Sequence, residues 1–174
     1  MRKLKNKELN RLKLEEFKST KKLPIVIVLD NVRSAHNVGS IFRTSDAFLI
    51  EKVMLCGICP TPPKNEIRKT ALGATESMDW EYFENTADCI KTLAEKDFSI
   101  LSIEQADNSV ELQDFEIDSS KKIALIFGNE VNGVSNECIA LSDGVIEIPQ
   151  HVTKHSFNVS VSAGIVLWDL AKKL

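Results

Sequence analysis

At 174 residues, with 43% hydrophobic and 27% charged side chains, the chain has room for one domain with an ordinary core, and its composition is neither disordered nor membrane-like. No apolar run approaches the roughly 20 residues that a membrane span needs, and the start is charged from Arg2 with no apolar leader, which predicts a cytoplasmic protein. The net charge of −3 divides unevenly: residues 1–22 carry nine Lys/Arg against three acids, leaving 13 basic against 22 acidic residues in the rest. A basic arm over 1–22 on an acidic body over 23–174 points to a polyanion contact through Arg2, Lys3, Lys5, Lys7 and Arg11.

Leu4, Leu9, Leu12, Leu14 and Phe17 interrupt the basic residues of the arm and predict an amphipathic helix over 2–18, ended before Pro24. Ile25 to Leu29 is β-branched and continuous, as in a strand covered on both faces. It empties into a polar loop and helix, Asp30 to Phe48, whose Val38, Ile41, Phe42 and Ala47 have the spacing of one helix face. Lys52 to Gly57 reads as a second strand and the prolines at 60, 62 and 63 as a loop barred from a sheet. Asn65 is expected to cap a short helix ending at Gly73. Trp80 to Phe83 alternates as a strand, and a helix runs from Asn85 or Thr86 to Lys96. Phe98 to Ile103 is a strand; Glu104 to Ser120 is a polar, acidic connection. Ile123 to Phe127 is a strongly apolar strand, followed by a glycine-bearing turn, Gly128 to Ser135, and a helix from Asn136 to Leu141. Gly144 to Ile148 is the last strand and Ser156 to Lys173 the last helix. Strands alternating with helices predict a mainly parallel α/β sheet with helices on both faces.

Four cysteines, Cys56, Cys59, Cys89 and Cys138, include one CxxC with no second pair to complete a zinc site, and read as reduced, non-catalytic apolar residues. His151 and His155 have i, i+4 spacing, but Pro149 and the lack of a Glu partner argue against a metal. There is no GxGxxG, P-loop or nucleophile elbow. Three polar loops instead follow apolar strands: Asn31 to Arg43, Gly128 to Ser135, and Gln150 to Ser160. In a parallel sheet the carboxyl ends of the strands share one edge, so these loops can converge on one site.

Three stretches carry a resemblance: Asn31-Val32-Arg33 through Asn37-Val38-Gly39-Ser40-Ile41-Phe42-Arg43-Thr44; Ile126 through Ser135, reading IFGNEVNGVS; and Ile148-Pro149 followed by Ser156-Phe157-Asn158-Val159-Ser160-Val161-Ser162-Ala163-Gly164. In order and spacing they resemble the SpoU/TrmH branch of the SPOUT superfamily, S-adenosylmethionine-dependent RNA 2′-O-ribose methyltransferases. That resemblance implies a C-terminal trefoil knot, a bent cofactor held by the second and third stretches, and a homodimer formed through the first-stretch and C-terminal helices. It also implies a tRNA or rRNA substrate, tRNA being favoured for so compact a chain.

By the same resemblance, Gly128, Ile148 and Ser156 match adenosylmethionine-holding positions, with Phe127, Asn129, Gly133, Pro149 and Phe157 around them and Leu101 or Ser102 on the adenine side. Glu130 and Asn158 match polar positions near the methyl donor and the ribose, and Asn37 a residue orienting the first loop. Arg43 matches the arginine assigned to activating the 2′-hydroxyl. A guanidinium essentially never gives up its proton, so an electrostatic grip on the phosphate and the emerging alkoxide suits it better than a base role. Arg33 and His36 are expected to touch RNA. Phe157 stands where leucine or methionine is commoner in the family, and the loop 150–155 lacks the glycine often found there. The alternatives are a non-catalytic RNA-binding protein of the same fold, or a small-molecule α/β enzyme using adenosylmethionine.

Overall fold

The computed structural model describes residues 1–5, 8–9, 11–151 and 156–174; the arm's Lys7 and the loop's His155 lie outside the described residues. Helix α1 (Leu14–Ser19) precedes β1 (Leu23–Asp30), α2 (Ala35–Ala47), β2 (Ile50–Cys56), α3 (Asn65–Ala71), α4 (Ala74–Ser77), β3 (Trp80–Phe83) and α5 (Thr86–Ala94). Then follow β4 (Phe98–Ile103), β5 (Val110–Glu111), β6 (Lys122–Phe127), α6 (Asn136–Ala140), β7 (Gly144–Glu147) and α7 (Val159–Lys173). The seven strands form one sheet in the order β3-β2-β1-β6-β4-β7-β5, and every pairing is parallel.

Alternation within the central strands feeds two cores. Ile25, Ile27 and Leu29 of β1, with Ile123, Leu125 and Phe127 of β6, face one cluster that also takes residues of α2, α3 and α7. Val26 and Val28, with Ala124 and Ile126, face the other, beneath α5 and α6. Both faces are therefore covered, which is why these strands are apolar at successive positions rather than alternating with polar ones. α7 buries Ala163, Val166, Leu167 and Leu170 in the first cluster.

Register decides where the site can be. Leu29 pairs with Phe127, and Phe127 with Ile103, so β1, β6 and β4 end level at one edge of the sheet. The next residues along, Asp30, Gly128 and Glu104, open the loops there. β1 and β6 also mark the place where the chain's excursions switch direction, the usual position of a ligand crevice.

α2 is fixed against α3 at Gly39: a Cβ there would lie 2.1 Å from Thr70 Oγ1 and 2.4 Å from the Ile67 carbonyl oxygen. Thr70 Oγ1 also donates to the carbonyl of His36 (3.0 Å), locking the first turn of α2 to α3. The glycine thus serves helix contact, with no special turn required.

Three expectations are revised. The long amphipathic helix of the arm shrinks, among the described residues, to Leu14–Ser19. Leu4, Leu9, Leu12 and Leu14 remain 41–53% exposed, so no burial supports a longer helix; only Phe17 reaches the core. Asn65 begins α3 rather than capping it; the cap position is Lys64, which offers no side-chain bond, and the helix ends on Leu72 in the left-handed region (φ 50). The connection 104–120 contains the short edge strand β5, with Leu112, Phe115 and Ile117 packed on the core. No described helix is long and apolar enough to cross a membrane.

Candidate active site

The ends of β4, β6 and β7 and the start of α7 surround a cavity of ≈570 Å³. Of the residues singled out in the sequence, Phe127, Gly128, Asn129, Glu130, Gly133, Ile148, Ser156, Phe157 and Asn158 line it, and Pro149 sits between the lining Ile148 and Gln150. Leu101 and Ser102 do not. Leu101 points into the first core, and the Ser102 hydroxyl is buried against that of Ser142 (2.8 Å). β4 contributes two residues later instead, through Ile103, Glu104 and Gln105. Val131, Val159 and Ser162, which sequence reasoning also passed over, complete the wall.

The turn after β6 is built as a small hairpin. Asn129 and Gly133 exchange both backbone hydrogen bonds at 2.9 Å, and Asn129 Oδ1 accepts the N–H of Val131 (2.9 Å). Gly133 takes φ 66, and a Cβ there would lie 2.0 Å from Glu104 Oε2. Glu104 uses that same oxygen to accept the N–H of Val134 (2.9 Å), so β4 grips the base of the hairpin. Gly128 is needed for a different reason: a Cβ would lie 2.0 Å from the Gly133 carbonyl carbon. Its bareness lets two segments of the loop approach each other.

Glu130, on this hairpin, ties the first polar stretch to the second. Its carboxylate accepts the backbone N–H of Arg33 and of Ser34, both at 3.0 Å, and Nδ2 of Asn37 (3.0 Å). Asn37 Oδ1 in turn accepts from Asn158 Nδ2 (3.1 Å). Asn158 Oδ1 accepts from the N–H of Ser160 (2.9 Å), capping α7. One line of hydrogen bonds therefore joins the first stretch to the second and third across 93 and 121 residues of chain. A second tie closes the third loop, where Gln150 Oε1 accepts the N–H of Phe157 (3.0 Å).

Beneath this line lies Asp30, 2% exposed, which accepts from Asn31 Nδ2 (2.9 Å), Thr86 Oγ1 (2.7 Å) and the N–H of Ser135 (2.9 Å). Its oxygens are occupied in holding β1, α5 and the start of α6 together, as a buried carboxyl requires.

Arg43 stands apart from the cavity. Six residues beyond Asn37 on α2, it lies about 9 Å further along the axis, exposed, with no salt bridge to a described residue. Arg33 and His36 are exposed as well. In the arm, Arg2, Lys3, Lys5 and Arg11 are exposed, although Arg2 is engaged bidentately with Glu8 (2.6 and 2.9 Å). All four cysteines are unpaired and buried, none lines the cavity, and burial pushes the Cys59 and Cys138 thiols up to about 12. Cys59 and Cys138 are therefore held as neutral thiols near pH 7. Among the described residues no cluster of His, Cys, Asp and Glu could hold a metal ion.

Residues 24–168 match the family described as the SpoU rRNA Methylase family. The chain belongs to that family. It is 28% identical over 166 residues to the tRNA (guanosine(18)-2′-O)-methyltransferase of Thermus thermophilus, covering 95% of this chain and 84% of that one. With the enzyme of the same name from Aquifex aeolicus it shares 30% identity over 165 residues, 92% of this chain and 75% of the other. Among solved structures, an AdoMet-bound rRNA methyltransferase from Sinorhizobium meliloti superposes with a TM-score of 0.82 at 25% identity, over 91% of this chain and 60% of that one. The chain thus spans about three-fifths of the length of that structural neighbour.

One consequence of the Glu130 clasp is open to titration. Burial pushes the Glu130 carboxyl up, but the donors from Arg33, Asn37 and Ser34 outweigh it and hold the group below its ordinary 4.5. A depressed pKa means that the clasp is complete above the ordinary value and comes apart only as pH falls through the lower, folded value. The amide resonances of Arg33 and Ser34 are expected to follow that acid titration by NMR, and to lose it in Glu130→Gln; amides indifferent to pH across it contradict the clasp.

Proposed function

We propose that this protein transfers a methyl group from S-adenosylmethionine to a ribose 2′-hydroxyl in structured RNA, with tRNA favoured over rRNA. The observation that carries the reading is the Glu130–Asn37–Asn158 line, which ties the first family stretch to the two that line the cavity. The printed activities of the Thermus and Aquifex relatives support the substrate class, and the AdoMet-bound neighbour supports the donor.

The cavity suits that donor. Its volume falls within the ~300–1,000 Å³ of small-molecule sites. Ile103, Phe127 and Ile148 offer apolar surface for the adenine, and the capped N-terminus of α7, at Asn158 and Val159, favours a carboxylate. Glu104 and Glu130 place negative charge where a cationic donor would be held. When bound, the donor supplies an electrophilic methyl group on a sulfonium.

Glu130 already accepts three hydrogen bonds in the closed site, so its role is to position the Arg33–Ser34 backbone and Asn37 rather than to take a proton. Asn158 combines an amide at the cavity with the cap of α7. Arg43, exposed and without a salt bridge to any described residue, acts as an electrostatic clamp on the phosphate beside the target ribose and on the developing alkoxide. Arg33 and His36 contact the RNA beside the site, and the arm residues Arg2, Lys3, Lys5, Lys7 and Arg11 contribute phosphate contacts that weaken with salt.

Three further features belong to the same reading. A trefoil knot in the C-terminal half is supported by the strand order, since β6 enters between β1 and β4 and the chain after β7 returns to bring Asn158 against Asn37. A chain trace without that threading contradicts it. A homodimer through α2 and α7 is supported by Val161 (48% exposed) and Trp168 (60% exposed) on α7, with the ring of Phe48 edge-on to Trp168 at 6.4 Å. It would offer Arg43 from the helices at the joint to RNA lying across both copies. Sedimentation equilibrium should return twice the chain mass of 19.4 kDa, and a single chain mass contradicts the pairing. Action on RNA and four cysteines without disulfide partners support a cytoplasmic enzyme.

The test is incubation with methyl-labelled adenosylmethionine and, separately, bulk tRNA and rRNA, followed by nucleoside mass spectrometry. Label in 2′-O-methylated nucleosides of tRNA is expected. In Arg43→Ala the rate should fall by about 10²-fold or more while calorimetric affinity for adenosylmethionine stays within about twofold. Label in no RNA fraction overturns the reading and favours a non-catalytic RNA-binding role; equal loss of cofactor affinity overturns the part given to Arg43.

A further inference from the structure

On the far side of the Asn129–Gly133 hairpin lies a second cavity, of ≈220 Å³. Asn129 and Gly133 line both cavities, so this one turn is the partition between them. Arg33 bridges the two sides: its backbone N–H is bound to Glu130, a wall of the larger cavity, while Arg33 itself lines the smaller one. By contrast, the ≈440 Å³ hollow beside Arg68 and Lys69 shares no lining residue with the larger cavity.

We propose that the second cavity takes the nucleobase of the nucleotide being methylated, read by Arg33, Asn132 and Ile58. This rests on the methyltransferase reading above. A 2′-hydroxyl and its base are carried on adjacent ribose carbons, so a hydroxyl brought to the donor cavity must leave its base within one sugar of that cavity. The smaller cavity is the one that borders it, across the shared residues Asn129 and Gly133. It is too small for a drug-sized ligand, whose pockets run to ~300–1,000 Å³, and suits a single planar ring system.

Its chemistry fits a base taken out of its stack. Ile58 is 58% exposed and gives an apolar face. The Arg33 guanidinium is exposed, forms no salt bridge with a described residue, and is planar, the type of group on which unstacked RNA bases lie. The Asn132 side chain hydrogen-bonds to no described residue and carries a donor and an acceptor side by side, as a base edge does. Asp30 and Asn31 also line the cavity, but their oxygens already hold Thr86, Ser135 and Ile58. Arg33 and Asn132 therefore keep planar and amide groups available to a base.

The experiment uses the full-length protein with labelled adenosylmethionine and bulk tRNA, comparing wild type with Arg33→Ala, Asn132→Ala and Asn132→Asp. The readouts are kcat/KM, the identity of the 2′-O-methylated nucleoside, and calorimetric affinity for adenosylmethionine. Wild type should yield one dominant methylated nucleoside. Arg33→Ala and Asn132→Ala should lower kcat/KM by about tenfold or more, and Asn132→Asp, which loses the donor, should shift the spectrum of methylated nucleosides, with cofactor affinity within about twofold throughout. Variants that methylate the same nucleoside at the wild-type rate overturn the assignment while leaving the methyltransferase reading intact. Wild-type protein that produces no 2′-O-methylated nucleoside overturns that reading, and the assignment with it.

Discussion

A carboxylate can only accept hydrogen bonds, and that restriction at Glu130 orients everything above the sheet edge. Because Glu130 accepts, Asn37 must turn its Nδ2 toward it; Asn37 Oδ1 is then left to face Asn158, which must donate. Asn158 is left with an oxygen pointing at the first turn of α7, where an oxygen is what a helix N-terminus needs. Each amide has one permitted orientation once the carboxylate is charged. The line thus fixes the loop before α2, the hairpin after β6 and the start of α7 relative to one another. Exposed hydrogen bonds of this kind add little stability one at a time; their value here is directional.

The line can form because the sheet delivers its parts to one level. Parallel strands with Leu29, Phe127 and Ile103 in register end together, and α2 cannot drift because Gly39 rests on α3. Asp30 then uses a buried carboxyl to secure the same edge from below. Two carboxylates within one edge thus have different tasks set by burial. Asp30 holds strands and helices in place, and Glu130 holds loops around a cavity.

Much of this could be read from residues alone. Continuous apolar strands and the three polar stretches led to a parallel sheet with a site at its carboxyl edge, and most of the residues taken from the second and third stretches line the cavity. What could not be read depended on partners distant in sequence. β4 meets the cavity at Ile103–Gln105 because its register with β6 sets Ile103, not Leu101, level with Phe127 at the sheet edge, and periodicity within β4 says nothing of that register. The arm's leucines implied an amphipathic helix, but they have no surface to bury them. The clasp itself joins residues 93 and 121 positions apart, and no local pattern announces it.

The central claim is that Asn37 and Asn158 act as one unit in catalysis. A double-mutant cycle of Asn37→Ala and Asn158→Ala on kcat/KM for RNA methylation addresses it directly, since the separate cost of uncapping α7 cancels within the cycle. The account expects the double variant to be no worse than the more damaging single one, with a coupling of about 1 kcal/mol or more. Losses that simply add, with no coupling, would contradict it.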